Sequence, residues 1–390
     1  MVRVQSRESS DDSGTASTRL WTLDSDHSFL LHAIRLGQRG LGRTWPNPSV
    51  GCVLVKTGAV LAAARTGDGG RPHAETQALA MAGDAARGAT AYVSLEPCAH
   101  HGNTPPCAQA LIAAGIARVV IGCEDPDPRV AGKGIAMLEA AGIEVTRITN
   151  HASRITNRGF IRRITQRMPY VAMKLATSAD YFMARNDGGG QWITGPAARA
   201  HGHRIRGMHD AVLTGIGTVL ADDPLLTVRA PNAPHPNLVR IVADRKLRLP
   251  LASQLVKTAE QFPLWVMTTP EGVEQAASHA SDLREAGVKF LVTEDAQLSP
   301  QTLLTTLAAE GITRLLIEAG PELSSVFLTA GAVETLHWYR APIALGNTGQ
   351  AAIPALHTTL ADAARVAHTA HVALGEDHCD TYELTPCSPD

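Results

Sequence analysis

Three short motifs carry side chains that could bind a metal ion. His73 lies at the start of a predicted helix, Cys98 follows a predicted strand, and Cys107 begins another predicted helix. One imidazole and two thiolates suit zinc, and a catalytic zinc site leaves its fourth tetrahedral position for water. Zinc makes that bound water acidic near neutral pH. We therefore predict a catalytic Zn²⁺ held by His73, Cys98 and Cys107.

Glu75 provides a proton shuttle beside these ligands. Hydrolytic deamination takes a proton from water and gives one to the departing amine, and a carboxylate two residues from His73 could do both. His-x-Glu followed by Pro-Cys-x-x-Cys is the signature of zinc-dependent base deaminases. Here eight residues separate Cys98 from Cys107, so the second spacing is longer. The pattern favours a deaminase.

Two structural interpretations of these motifs stay open. The two cysteines could be buried apolar side chains, as we expect for Cys52 and Cys123. Alternatively, His100 or His101 could be a fourth ligand, which would close the site and make the zinc structural.

The composition narrows the class of protein. The chain has 390 residues, which suggests two domains, and its net charge of −2 argues against a nucleic-acid partner. Six cysteines in a chain of this length indicate reduced thiols in the cytosol. We expect no secretory signal at the Ser- and Asp-rich N-terminus, and no run approaches the roughly 18 apolar residues of a membrane span. We expect a cytoplasmic protein.

Alternating strands and helices predict two α/β domains, each with a mostly parallel sheet. We expect a disordered tail at 1–24, a first domain at 25–150, a connecting segment at 151–168 and a second domain at 169–390. Asp26 is predicted to cap the first helix. In the first domain we expect a hairpin of strands 51–56 and 59–64, further strands 91–95, 118–122 and 143–148, and helices 73–86, 106–115 and 131–141.

Strands and helices also alternate in the second domain. It has no complete Rossmann fingerprint, because the third glycine of that motif does not follow Gly215 and Gly217 at the required spacing. We expect strands 170–175, 211–214, 238–243, 264–268, 289–292, 314–318 and 333–340, and helices 195–206, 302–310 and 321–330. The arginine-rich connecting segment reads as a solvated helix, and a phosphate or RNA patch is the alternative.

Longer motifs extend the pattern far beyond the metal ligands. They are PNPSVG at 46–51, EPCAHHGNTPPC at 96–107, DPDPRVAGKG at 125–134, QWIT at 191–194, TVLADDP at 218–224 and EAGP at 318–321. Together they resemble the RibD family of bifunctional riboflavin biosynthesis proteins. The resemblance continues to about residue 385 and leaves out little more than the N-terminal tail.

The resemblance implies two successive reactions. A cytidine-deaminase-like domain with α/β/α layers would hydrolyse the exocyclic amine of 2,5-diamino-6-(5-phosphoribosylamino)pyrimidin-4(3H)-one. A second α/β domain, similar to dihydrofolate reductase, would use NADPH to reduce the ribosyl group of the resulting 5-amino-6-(5-phosphoribosylamino)uracil to ribityl. It also implies one Zn²⁺ per deaminase domain, a small phosphoribosyl-pyrimidine substrate, and a homo-oligomer, either dimer or tetramer.

The resemblance also assigns site residues. Glu75 would be the catalytic shuttle, and Asn47 and His101 would lie near the pyrimidine. Lys174 would lie near the hydride-transfer site. The substrate positions of the second domain would be Gly190, Arg206, Leu226, Arg229 and Glu318. The NADP positions would be Ala176, Asp180, Trp192, Thr218, Asp222, Gly320, Pro321, Glu322, Leu323, Ser324, Ser325 and Val326.

Elementary chemistry fits part of this assignment. The planar fork of Arg206 or Arg229 suits a phosphate, and the amides that open a helix after Glu318 could bind a cofactor phosphate. Structural alternatives stay open: surface salt bridges for the arginines, an ordinary strand–turn–helix at 318–321, and a buried core aromatic at Trp192.

Three positions depart from the family pattern. Tyr181 stands where relatives usually have Gly in a turn, which could strain a positive φ or fill cofactor space. Thr66 stands where relatives often have His, and Asn103 where they often have Lys or Arg. Two other functions therefore stay open: a deaminase of other nucleotides or RNA bases, and a deaminase whose second domain only binds or oligomerises.

Overall fold

The computed structural model describes residues 13–100, 105–185, 192–229, 237–346, 349–354 and 365–385. They form two compact units, which are described separately here. The first unit contains the residues up to Arg39, then 49–67 and 72–157. The second contains 40–48, 68–71 and the residues from Arg158 onward.

The first unit is built on a five-stranded sheet of order β2-β1-β3-β4-β5. Its strands are β1 (Gly51–Lys56), β2 (Ala59–Arg65), β3 (Thr90–Val93), β4 (Arg118–Ile121) and β5 (Glu144–Arg147). β1 is antiparallel to β2 and β3, whereas β3, β4 and β5 run parallel to one another. Its helices are α1 (Ser13–Gln38), α2 (Ala74–Ala82), α3 (Cys107–Ala113) and α4 (Lys133–Ala140). The predicted hairpin and parallel strands are confirmed.

Helix α1 lies directly on strand β1. Val53 and Val55 alternate toward α1 and share a buried cluster with Leu30 and Ile34. Gly51 permits this close approach, because a Cβ there would lie 1.9 Å from the Ala33 carbonyl oxygen. The helix therefore packs against β1 at backbone contact distance.

The predicted start of the first helix is wrong. The helix begins at Ser13, so Asp26 lies inside it rather than at its cap, and residues 13–24 of the expected tail are helical. Asp26 is buried and accepts hydrogen bonds from the Tyr92 hydroxyl at 2.7 Å and from both terminal nitrogens of Arg118 at 3.0 and 2.8 Å. Its role is to join α1 to β3 and β4.

The connecting segment forms helix α5 (His151–Gln166), as predicted, but the helix is not solvated throughout. Ser153 and Asn157 are buried. Arg158 pairs with Glu383 at 3.1 Å, and Arg163 donates to a backbone carbonyl at 2.9 Å. Protein groups therefore occupy these two arginines, so the segment is more than a solvated linker.

The second unit is built on a nine-stranded sheet of order β11-β10-β9-β8-β12-β6-β13-β16-β15. Its strands are β6 (Tyr170–Thr177), β8 (Ala211–Gly215), β9 (Val239–Ala243), β10 (Leu264–Thr268), β11 (Lys289–Val292), β12 (Arg314–Ile317), β13 (Thr335–Arg340), β15 (Arg365–Leu374) and β16 (Asp377–Thr385). A separate antiparallel pair is β7 (Phe182–Arg185) and β14 (Gly349–Ala351). Its helices are α6 (Pro196–Arg206), α7 (Ile216–Asp222), α8 (Gln254–Lys257), α9 (Pro270–Gln275), α10 (Ala277–Glu285), α11 (Pro300–Ala309) and α12 (Pro321–Thr329).

Both faces of this sheet are covered. On β10, Trp265 and Met267 face one core cluster, to which α12 contributes Phe327, while Leu264 and Val266 face the other. Burial on both faces explains why these strands read as continuous apolar runs in the sequence.

In the order of the sheet, the seven strands β11, β10, β9, β8, β12, β6 and β13 all run parallel, as predicted. The sequence did not reveal the antiparallel hairpin of β15 and β16, which extends the sheet beyond β13. Its strands carry many polar and half-exposed residues, so no buried apolar run marked them.

Two further findings concern the described parts of the chain. Each of the five cysteines there is a free thiol, and Cys387 lies outside the described residues. None of the helices within the described ranges has the length and apolar character that a bilayer crossing requires.

Candidate active site and family

The three predicted metal ligands converge in the first unit. His73 is the N-cap of α2, Cys107 is the first residue of α3, and Cys98 lies in the loop after β3. The His73 Nδ1 atom lies 3.3 Å from the Cys107 sulfur and 3.7 Å from the Cys98 sulfur. All three ligand atoms lie within 4.8 Å of one another. Residues that are far apart in sequence therefore present three ligand atoms to one point.

These distances fit a zinc ion. Bonds of about 2.0–2.1 Å to nitrogen and 2.3 Å to sulfur at tetrahedral angles place the two ligand atoms about 3.5 Å apart. The observed separations of 3.3 and 3.7 Å lie on either side of that value. Among the described residues, His100 does not belong to this ligand group, and His101 lies outside the described residues. Within the described residues, the group therefore offers three protein ligands, the number that a catalytic zinc site uses.

The start of α3 holds the two cysteines in register. The Cys107 backbone N–H donates to the Cys98 sulfur at 3.3 Å, and the Ala108 N–H donates to the Cys98 carbonyl at 3.2 Å. Hydrogen bonding with Cys107 lowers the pKa of the Cys98 thiol to about 4, while the same contact and burial raise the pKa of Cys107. The contact with Cys107 thus favours the thiolate form of Cys98, which is the form that binds a metal.

Glu75 is enclosed beside these ligands on the first turn of α2. Its side chain is buried, and burial raises its pKa to about 7, although the His73 imidazole acts in the opposite direction. Cys52 lies behind it, and burial together with the Glu75 charge raises the pKa of that thiol. The carboxyl group is therefore poised between its two protonation states near neutral pH, which suits proton transfer.

Glu96 was missed as a site residue in the sequence. Its buried carboxylate accepts hydrogen bonds from the backbone N–H groups of Gly132, Gly134 and Ile135 at 3.0–3.2 Å and from that of Asp125 at 3.3 Å. It ties the loop before the first cysteine to the start of α4. Its place in Glu-Pro-Cys was the available signal, but only its partners reveal its role.

Two glycines of the 125–134 motif allow close backbone packing where the loop before Cys98 meets the start of α4. Gly132 caps α4 with a φ of 72°, a conformation that favours glycine. A Cβ on Gly134 would lie 2.0 Å from the Pro97 carbonyl oxygen. The motif therefore lets α4 approach the metal-binding loop at backbone contact distance.

Other predicted deaminase residues have structural partners. Thr66 is buried, and its hydroxyl accepts a hydrogen bond from the Val50 N–H at 3.0 Å. Asn47 packs with the second unit, where its side-chain amide donates to the Gly70 carbonyl at 3.0 Å. Asn103 lies outside the described residues.

In the second unit, the structure brings Arg206 and Glu318 together. The Arg206 Nε and Nη2 atoms donate to the two Glu318 oxygens at 2.6 and 2.9 Å, and Nη1 donates to the Thr227 carbonyl at 2.6 Å. Lys174 lies 3.9 Å from the same carboxylate. Burial acts to raise the pKa of Glu318, but Arg206 and Lys174 outweigh it and lower the pKa to about 2. The salt bridge expected as an alternative for Arg206 is present, but it does not lie on the surface, because only 11% and 12% of the two side chains is exposed.

Thr218 and Gly320 also meet, at the ends of β8 and β12. The Gly320 N–H donates to the Thr218 hydroxyl at 3.0 Å, which links the starts of helices α7 and α12. Within the predicted NADP segment, Ser324 and Ser325 are buried, whereas Val326 is exposed. The remaining residues of this segment are Pro321, which is buried, Leu323, which is partly buried, and Glu322, which is exposed.

The remaining predicted positions of the second unit differ in their surroundings. Trp192 is 72% exposed and lies under the Arg199 guanidinium at 5.0 Å, so the alternative of a buried core aromatic is wrong. Leu226 is buried. Arg229 is exposed and its N–H donates to His203 at 3.3 Å. Ala176 is partly buried on β6, Asp222 is exposed at the end of α7, and Gly190 lies outside the described residues.

Sequence comparison with known proteins identifies the family of this chain. Residues 169–379 match the RibD C-terminal domain, and residues 23–123 match the cytidine and deoxycytidylate deaminase zinc-binding region. The riboflavin biosynthesis protein RibD of Escherichia coli K12 is 39% identical over 369 residues, which cover 91% of this chain and 98% of that protein. This chain belongs to the RibD family.

Solved RibD structures share the fold. A RibD of Acinetobacter baumannii, form 1, matches with a TM-score of 0.84 and 40% identity over 93% of this chain and 99% of the other. A deaminase/reductase of Thermotoga maritima matches with a TM-score of 0.80 and 30% identity over 93% and 99%. The chain is therefore a bifunctional RibD enzyme with a zinc-type deaminase domain and a reductase domain, as the sequence predicted.

The Tyr181 departure from the RibD pattern has a structural consequence. The Tyr181 N–H donates to the Ser178 carbonyl at 3.1 Å, the Ser178 N–H donates to the Phe182 carbonyl at 2.9 Å, and Tyr181 has a φ of 71°. This is a three-residue hairpin loop whose last position favours glycine. The Asp180 carboxylate secures the loop by accepting from the Leu345 and Gly346 N–H groups at 2.7–3.0 Å. The ring of Tyr181 is half-exposed, 5.5 Å from that of Trp338.

We predict that Tyr181→Gly is more stable than Tyr181→Ala by about 1 kcal/mol. Both variants lose the contact with Trp338, but only glycine relieves a left-handed conformation that costs other residues about 1–2 kcal/mol, and its greater unfolded-state entropy offsets part of that gain. Denaturant midpoints of the two full-length variants provide the test. Equal midpoints would show that the loop is unstrained.

We further predict that Arg206→Gln lowers the free energy of unfolding by about 3–5 kcal/mol, because it leaves the Glu318 charge buried without its main partner. The pKa of Glu318 is held at about 2, so its ionised form stabilises the protein fully above its ordinary value of about 4.3. This stabilisation is lost as the pH falls toward 2.

Denaturant midpoints of the wild type and Arg206→Gln, measured between pH 7 and 3, test this pH dependence. Arg229→Gln, which changes an exposed arginine, is the control. Without Arg206, burial raises the pKa of Glu318 in the folded variant, so the advantage of the wild type should shrink as the pH falls below that raised value. An advantage that is constant across this range would contradict the assignment.

Proposed function

We propose that the two domains catalyse successive steps of riboflavin biosynthesis on one phosphoribosyl-pyrimidine. The first removes the exocyclic amine of 2,5-diamino-6-(5-phosphoribosylamino)pyrimidin-4(3H)-one. The second reduces the ribosyl group of 5-amino-6-(5-phosphoribosylamino)uracil to ribityl with NADPH. The observation that carries the proposal is the convergence of one imidazole, two thiolates and a buried carboxyl group in the deaminase domain of a RibD-family chain.

His73, Cys98 and Cys107 would hold the zinc ion of the deaminase domain. Their separations match its bond lengths, and the ion, when bound, makes a coordinated water acidic near neutral pH. The chain contributes the geometry: Glu96 fixes the loop before Cys98, and the first amide of α3 orients the Cys98 sulfur.

Glu75 would move the protons of the hydrolysis. Its carboxylate takes a proton as water attacks the ring carbon, and the resulting acid returns one to the departing amine, so that ammonia leaves. Burial raises its pKa to about 7, and the charge of an ion in the site would act in the opposite direction. A group balanced in this way can act as base and then as acid in one turnover. Asn47 and His101 would contact the pyrimidine.

The reductase domain would bind NADPH at the carboxyl ends of β8 and β12. NADPH supplies the hydride, and the chain's task is to hold it face to face with the sugar. The starts of α7 and α12 meet there through Thr218 and Gly320, which leaves backbone N–H groups of both helices near one edge. The buried hydroxyls of Thr214 and Ser325 have no partner in the described structure, in keeping with a polar ligand at this edge.

The other cofactor and substrate positions remain part of the proposal. Arg206, already fixed by Glu318, would present a remaining N–H to substrate, with Lys174 beside it. The other proposed NADP contacts are Ala176, Asp180, Trp192, Asp222, Pro321, Glu322, Leu323, Ser324 and Val326. The other proposed substrate contacts are Gly190, Leu226, Arg229 and Glu318.

We also propose the setting in which the enzyme works. Domain limits of 25–150 and 169–390 joined by 151–168, a cytoplasmic location, and assembly as a homodimer or homotetramer complete the expectation from the sequence. Size-exclusion chromatography with light scattering would measure the assembly directly.

We predict that Glu75→Gln lowers the rate of ammonia release by at least about 100-fold, because the amide cannot relay protons. The same variant should still oxidise NADPH when 5-amino-6-(5-phosphoribosylamino)uracil is supplied. Its zinc content should equal that of the wild type, because Glu75 is not a ligand. Ammonia release, NADPH absorbance and metal content are the three measurements.

The matched control is Glu139→Gln, an exposed carboxylate on α4. It should leave both activities unchanged. Ammonia release by Glu75→Gln at the wild-type rate would remove this residue from the mechanism.

A further inference from the structure

A second group of metal-ligating side chains lies on the hairpin of β15 and β16. The His368 Nε2 and His371 Nδ1 atoms lie 3.0 and 2.8 Å from the same oxygen of Asp380. All three ligand atoms lie within 4.8 Å of one another. The riboflavin chemistry proposed above uses none of these residues.

A bulge brings the two histidines together. Residues three apart on a regular strand point to opposite faces. In this hairpin the register shifts between His368 and Ala370, so that Thr369 is an extra residue opposite β16. Both imidazoles therefore reach Asp380, which pairs directly with His371. A bulge that re-aims a side chain in this way is a typical device near functional sites.

Asp380 is held as a preoriented ligand. Its side chain is only 5% exposed, whereas those of His368 and His371 are 50% and 55% exposed, so the group opens to solvent on one side. The Arg340 Nη2 atom donates to the second Asp380 oxygen at 2.6 Å, which leaves the first oxygen to the histidines. A hydrogen bond to the carboxylate oxygen that does not bind the metal commonly orients a carboxylate ligand.

We propose that His368, His371 and Asp380 form a second metal site for a divalent transition-metal ion such as Zn²⁺. Tetrahedral bonds of about 2.0–2.1 Å separate ligand atoms by about 3.3 Å. The two nitrogen-to-oxygen separations of 3.0 and 2.8 Å would therefore lengthen by a few tenths of an ångström, and the two imidazole nitrogens, which lie within 4.8 Å of each other, would settle at about 3.3 Å. Two imidazoles and one carboxylate suit zinc, nickel or copper rather than calcium or magnesium. The ion would clip β15 to β16 at the end of the sheet.

Binding requires one rearrangement of protons. An imidazole nitrogen that faces the Asp380 carboxylate carries an N–H and must instead present a bare nitrogen to the ion. The proton moves to the other ring nitrogen, Nδ1 of His368 and Nε2 of His371, while the carboxylate exchanges two N–H donors for the cation. His378, whose Nε2 lies 3.9 Å from the second Asp380 oxygen, is the nearest further imidazole.

The test is the zinc stoichiometry of the full-length protein. Metal-stripped wild type, dialysed against micromolar free Zn²⁺, should retain two equivalents, and His368→Gln/His371→Gln should retain one. Cys98→Ser/Cys107→Ser should also retain one, which separates this site from the deaminase site. The matched control, His32→Gln/His151→Gln, removes two exposed helical imidazoles and should retain two.

Co²⁺ identifies the ligands of each site independently. The deaminase site should show a thiolate-to-cobalt charge-transfer band, and the hairpin site should add visible absorption without that band. The histidine substitutions should lower the affinity of the hairpin site for Co²⁺ by at least about tenfold. Mutating a residue that only hydrogen-bonds to a metal ligand already lowers metal affinity by about 10–100-fold in typical sites.

Asp380→Asn is a second variant for the same measurements and should also lose the second equivalent. Two outcomes would overturn the proposal: a single equivalent in the wild type, or a second equivalent that survives the substitutions of His368, His371 and Asp380.

Discussion

The distance constraint that a three-ligand metal site would impose explains how the first domain places His73, Cys98 and Cys107. One imidazole nitrogen and two sulfurs must come within about 3.5–3.8 Å of one another, although His73 and Cys107 lie 34 positions apart in the sequence. The fold satisfies this by placing each ligand where a loop meets a regular element. The N-cap of α2, the start of α3 and the loop after β3 meet at one edge, and Glu96 binds that loop to α4.

The second domain must position two ligands rather than one ion, and it also uses loops and helix starts at the ends of parallel strands. A hydride transfer needs two ligands held face to face, so the site depends on surfaces and charges rather than on one ion. Parallel strands bring the starts of α7 and α12 to the same edge, and the buried pair of Arg206 and Glu318 fixes the charges nearby. A guanidinium already bound to a carboxylate is held in place before any substrate arrives.

Much of this could be predicted from the sequence, for identifiable reasons. His73, Glu75, Cys98 and Cys107 were recognisable because their chemistry requires particular residue types in a particular order. The strands of both sheets other than β15 and β16 were recognisable because burial makes them apolar. Asp26 was misread because a short polar residue before an apolar run resembles a cap, and only the fold shows that Tyr92 and Arg118 bind it.

The features that could not be predicted depend on contacts distant in sequence. Glu96 looked like part of a motif until its amide partners 29 to 39 residues away were in place. The hairpin of β15 and β16 lacks a continuous apolar run, and its bulge leaves no sequence signal. The left-handed position of Tyr181 was foreseen only as a possible strain, because a turn's φ depends on the strands that it joins.

The most direct test of the central claim is the zinc K-edge absorption spectrum of the His368→Gln/His371→Gln variant, in which the deaminase site alone contributes. We expect two sulfur atoms at about 2.3 Å and two nitrogen or oxygen atoms at about 2.0–2.1 Å. The outer-shell scattering should correspond to a single imidazole. A shell with two imidazoles, or with fewer than two sulfurs, would contradict an open site held by one histidine and two cysteines.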